Sequence, residues 1–80
     1  MINLGKHSKL DPPAVIRKAC AYFGPGGLGL AVLEQSETTV QFEGVGGSVG
    51  ITANAKEGGS DVTIVSQEWD YQAKQFVERI

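Results

Sequence analysis

The side chains with the most chemistry to offer in this 80-residue chain are its single cysteine, Cys20, and its single histidine, His7. A catalytic thiol needs a general base or an electropositive niche to become thiolate. Cys20 instead falls at helical spacing with Ile16 and Phe23, so it is expected in the core, where cysteine behaves as a small hydrophobe. His7 lies in the polar stretch 6–10 and is expected in an exposed loop. One histidine with no second histidine and no cysteine cluster makes a poor metal site, so no metal is expected. Glu34, Glu37 and Glu43 are the acids that a carboxylate pair could draw on. The alternation around Glu43 puts it on a solvated face, without the environment that acid–base work requires.

Two glycine clusters remain. Gly24, Gly26 and Gly29 satisfy the dinucleotide-binding spacing G-x-G-x-x-G. That chemistry needs a strand before the glycines and a helix after them, so that a pyrophosphate meets the helix N-terminus. Here a helical pattern comes first, and the segment reads as a helix-to-strand connector. Gly44, Gly46, Gly47 and Gly50 crowd a hairpin. They could bare backbone N–H groups to an anion, but a tight turn with a bend in the sheet accounts for them more simply. No catalytic set emerges, the reading leans against an enzyme, and no cofactor is implied.

The elements that would position any site follow from periodicity. Ile2 and Leu4 alternate with polar or small neighbours and permit a short first strand, with 6–10 as a connector. Asp11-Pro12-Pro13 is a helix start: an acceptor at the cap, then prolines where a missing N–H costs nothing. Val15, Ile16, Ala19, Cys20 and Phe23 give that helix one apolar face. Four strands are expected at 28–35, 38–43, 48–55 and 61–67, with Val40, Phe42, Val49, Ile51, Ala53, Val62 and Ile64 pointing one way. Trp69, Ala73, Phe76, Val77 and Ile80 then recur at helical steps over 68–80. One sheet face and two helix stripes are apolar. The expected class is α+β, in two layers: an antiparallel sheet of four to five strands with both helices on one face, in the order β-α-β-β-β-β-α. Residues 1–80 form a single domain.

A net charge of −2 with no basic run disfavours nucleic acid, whose binders carry a cationic stripe. No stretch approaches the length of a membrane span, and residues 1–10 hold no long apolar signal-type segment. The single cysteine fits a reducing compartment, so the cytoplasm is the expected location.

This order of elements resembles a single repeat of the TATA-box-binding-protein-like, or helix-grip, architecture. The resemblance runs the length of the chain and rests on the pattern of elements. It implies a C-terminal helix lying across a curved sheet, with a gap between them that can hold an apolar ligand. The leading expectation is a small binding or interaction domain that self-associates through a sheet edge as a homodimer, joined by its N-terminal strands. The alternative is a carrier for a small apolar ligand held between the sheet and the last helix. Tyr22, Phe42, Trp69 and Phe76 are its candidate ligand contacts, being large aromatics on or beside the apolar faces.

Overall fold

A computed structural model describes residues 2–80. In chain order the elements are β1 (Ile2–Ser8), α1 (Pro12–Phe23), β2 (Ala31–Gln35), β3 (Thr39–Gly44), β4 (Gly47–Lys56), β5 (Gly59–Gln67) and α2 (Asp70–Arg79). The class and the element order are those expected. Neighbouring strands pair antiparallel in one sheet, ordered β1-β5-β4-β3-β2. The meander runs from β2 to β5, and the first strand closes onto the last. That leaves β1 and β2 as the two free edges.

The core is built from the residues whose spacing marked them. Val40, Phe42, Val49, Ile51, Ala53, Val62 and Ile64 are buried on one sheet face, together with Val15, Ile16, Ala19 and Phe23 from α1 and Ala73 and Phe76 from α2. α1 lies over β3 and β4, and α2 over β1 and β5. Phe23 joins the layers. Its ring centroid stands 5.0 Å from Tyr22, 5.6 Å from Phe42 and 5.4 Å from Phe76.

α1 begins where Asp11 Oδ1 accepts the Ala14 N–H at 3.1 Å, relieving one of the four unpaired donors of the first turn. Arg17 and Lys18 precede the last turn of α1, which has no basic residue. At its end the glycine segment folds back on the helix. Gly24 N–H donates to Cys20 O, Leu28 N–H to Tyr22 O and Leu30 N–H to Phe23 O. This capping delays the strand expected from residue 28 until Ala31.

Two other boundaries differ from the sequence reading. β1 continues through Ser8, so His7 is in a strand and not in a loop. Its pairing with β5 runs from Ile2↔Ser66 to Ser8↔Ser60. Polar Lys6 and Ser8 occupy inward positions that an apolar pattern does not mark. Ser8 Oγ donates to Ile80 O at 2.9 Å, and that bond makes its burial tolerable. α2 starts at Asp70 rather than at residue 68, because Glu68 adopts φ 68°. That left-handed residue turns the chain sharply out of β5.

The glycines of the β3–β4 hairpin make this turn possible. A Cβ on Gly47 would lie 2.0 Å from Gln67 O, and one on Gly44 would lie 2.7 Å from Trp69 Cζ2. Gly46, at φ 81°, supplies the reversal itself. Gly44 and Gly47 thus serve close packing under the start of α2, and the expected tight turn is present, while β3 and β4 pair without a register shift and Gly50 lies against the Gln41 side chain.

Candidate functional site

Cys20 is half-buried and packs against the core. Burial pushes its thiol pKa up, which lowers the thiolate fraction at neutral pH and so its nucleophilicity. His7 is the cross-strand partner of Asp61, its Nδ1 3.1 Å from Asp61 Oδ1. Lys56 Nζ approaches Asp61 Oδ2 at 3.9 Å. All three are exposed on the polar face of the sheet, and such surface pairs contribute little to stability. Among the described residues no group of three or more His, Cys, Asp or Glu side chains could hold a metal ion. In the glycine segment 24–29 the N–H groups of Gly24, Gly27, Leu28 and Gly29 go to α1 carbonyls or to Gly24 O, so they are not turned together toward a phosphate.

The four aromatic candidates divide. Tyr22 and Phe76 meet, with centroids 5.7 Å apart, in an open groove of about 250 Å³ between the two helices. Lys18, Ala21 and Arg79 complete its lining, and the Arg79 guanidinium carbon stands 5.1 Å from the Tyr22 ring centroid. Phe42 meets the Phe23 ring deep in the core, and Phe23 in turn meets Phe76. Trp69 lies two helical turns before Phe76 and packs on Gly44 and Leu30. Phe42 and Trp69 do not line the groove. The sequence reading placed Tyr22 at the border of its stripe but had no signal for Arg79 reaching it from the other helix.

The feature that sequence reasoning missed is β2. All five of its residues are exposed, because α1 and α2 between them cover the other four strands. β2 pairs on one side only, with β3, and its register shifts between Val32 and Glu34, so that Leu33 is an extra residue in a bulge. The large exposed hydrophobics of the chain are Leu28 (42%), Val32 (39%), Leu33 (62%), Val45 (99%), Val65 and Tyr71. Two of these six are in β2 itself and Leu28 shortly precedes it. A fourth, Val45, shares an open cleft of about 340 Å³ with Leu33, Ala31 and Glu43. On the helix side of the same edge, Gln35, Ser36 and Glu37 face Pro13, Ile16 and Arg17 across a cleft of about 460 Å³. An apolar corner is thus set beside unpaired strand backbone.

The chain matches no protein-family model, no curated protein and no solved structure. No helix among the described residues is long and apolar enough to cross a membrane.

Proposed function

We propose that this chain is a small binding domain that self-associates through a free sheet edge, a pair of copies being its smallest assembly. The observation that carries this reading is β2, an edge strand left bare by both helices, carrying Val32 and Leu33 and flanked by Leu28 and Val45. An edge strand presents a row of unpaired N–H and C=O groups, which a second strand satisfies. Contiguous exposed apolar side chains beside it add hydrophobic gain on contact. β1 is the weaker candidate for a bare edge, since α2 packs over it and its inward positions are partly covered.

The core closes within one copy. The accessible surface is 4580 Å² for 8.5 kDa, against about 4,650 Å² from the size scaling of compact monomers. Association is then reversible and concentration-dependent, between copies already folded. The order of the strands, with the first beside the last and a helix after it, supports the helix-grip resemblance. The single unpaired cysteine supports a reducing compartment such as the cytoplasm.

Sedimentation velocity tests the reading. The wild-type chain is expected to show a rising average mass by about 100 µM, a concentration matched to a small interface. Leu33→Lys, which sets a charge on the edge, is expected to remain monomeric there with an unchanged melting temperature. A wild-type chain that stays monomeric at millimolar concentration overturns the proposal.

The groove between Tyr22 and Phe76 supports a second reading, a carrier of a small apolar ligand. Phe42 and Phe76 are packed at 0% and 1% exposure, so a ligand reaching them must displace core contacts. Retention of a lipid-like mass in native mass spectrometry would favour it.

A further inference from the structure

The two free edges carry opposite charge. From Ala19 to Ala55 the chain has no lysine, arginine or histidine and three glutamates, Glu34, Glu37 and Glu43. The fold gathers that stretch at the β2 side: Glu34 in β2, Glu37 in the β2–β3 turn and Glu43 in β3. Residues 2–10 have no acid but carry Lys6, His7 and Lys9, and they form and follow β1 at the other edge.

The charged neighbours leave this contrast in place. Arg17 faces Glu37 across the α1–β2 cleft without an ion pair between them among the described residues. Asp61 engages His7 and Lys56, and no described carboxylate lies within ion-pair distance of Lys6 or Lys9.

We propose that copies join head to tail, the β1 edge of one against the β2 edge of the next. This rests on the self-association reading above and names its geometry. Edges of like charge repel and edges of opposite charge attract as two copies approach. Pairing β2 with β2 brings Glu34 toward its own copy, and pairing β1 with β1 does the same for Lys6. Pairing β1 with β2 sets the basic edge, with Lys6 and Lys9, against the acidic edge, with Glu34 and Glu37. Lys6 lies on the helix face across from Val62 and Glu34 on the open face across from Gln41, so the attraction acts between edges and not between side chains directly opposed. The strands alternate in direction across the sheet, so β1 and β2 run the same way. A copy translated across the sheet therefore presents β1 parallel to β2, with both helix layers on one face. Parallel pairing is slightly weaker per residue, which leaves electrostatics a larger part in choosing the partner. Such a contact leaves one edge of each kind free, so a pair is the first member of a series or of a closed ring.

Two charge-reversed proteins test this, Glu34→Lys/Glu37→Lys and Lys6→Glu/Lys9→Glu, measured by sedimentation at low salt alone and mixed in equal amounts. Each alone is expected to associate about tenfold or more weakly than wild type, and the mixture to regain wild-type association, because complementary edges then meet only between the two proteins. If half-buried Lys6 does not tolerate glutamate, Lys9→Glu with its partner Glu37→Lys gives the same comparison. Either variant associating alone as wild type does, or a mixture no better than its components, overturns head-to-tail joining while leaving self-association standing. A monomeric wild type removes both.

Discussion

Phe23→Ala is expected to destabilise the fold by about 3–5 kcal/mol, the cost of truncating a large aromatic in a closed core. Phe23 is fully buried, and Tyr22, Phe42 and Phe76 all lie within ring-contact distance of it. Its removal takes away a side chain of α1 that meets both the sheet, at Phe42, and α2, at Phe76. A domain of this length holds roughly 4–12 kcal/mol in total, so the variant should melt at least about 12 °C lower, at some 4–8 °C per kcal/mol. Phe23→Leu keeps most of the volume and should cost much less, about 1–1.5 kcal/mol. Thermal and urea melts of the three proteins check this. Equal melting of Phe23→Ala and wild type would mean that the rings do not meet as described.

Gly59→Ala should be about as damaging, for a different reason. Gly59 has φ 149°, and a Cβ there would lie 1.9 Å from Ser8 O and 2.9 Å from Lys9 Cα. Both obstacles are backbone, so the end of β1 must move away from β5. That movement also strains the Ser60 Oγ to Leu10 O hydrogen bond of 2.7 Å and the link from Ser8 to the last residue. A loss above about 3 kcal/mol is expected, in the range that overpacking against backbone reaches. Neighbouring Gly58, at φ 80° with open space around it, should lose only about 1 kcal/mol on the same change. Gly26→Ala, with a negative φ and nothing nearby, should be close to neutral. A Gly59→Ala protein as stable as Gly26→Ala would contradict the close approach of β1 to the β4–β5 turn.

These two residues also mark where the sequence was legible. Phe23 announced itself: it closes an apolar stripe beginning at Val15, after a cap and two prolines. The inward strand positions from Val40 to Ile64 announced themselves by alternation. Such signals are local, set by the pitch of a helix or the pleat of a strand. Gly59 falls between the strands expected at 48–55 and 61–67, where a glycine reads as part of a turn, and what it touches is Ser8, about fifty residues away. The same distance hid the pairing of His7 with Asp61, which made a loop residue into a strand residue. Lys6 and Ser8 gave no inward signal because polar side chains fill those positions. Glu68 gave none because its left-handed backbone goes with a close approach to Gly47, a residue far from it in sequence.

The candidate site was less legible than the fold. Tyr22 and Phe76 were read individually as aromatics on apolar stripes, and their meeting depends on how the helices cross. Val32 and Leu33 were read as members of an apolar strand. That this strand lies outside the shelter of both helices follows only from the strand order, which puts β2 last in the sheet. Its exposure therefore enters as a property of topology rather than of residue pattern.

Amide hydrogen exchange of β2, followed at concentrations well below and well above the onset of association, tests the edge most directly. The account predicts that amides within Ala31–Gln35 exchange quickly in the dilute chain and slow markedly when copies associate, while those of central β4 stay equally protected throughout. An average mass that rises with concentration while Ala31–Gln35 exchange at an unchanged rate would place the contact elsewhere and contradict the account.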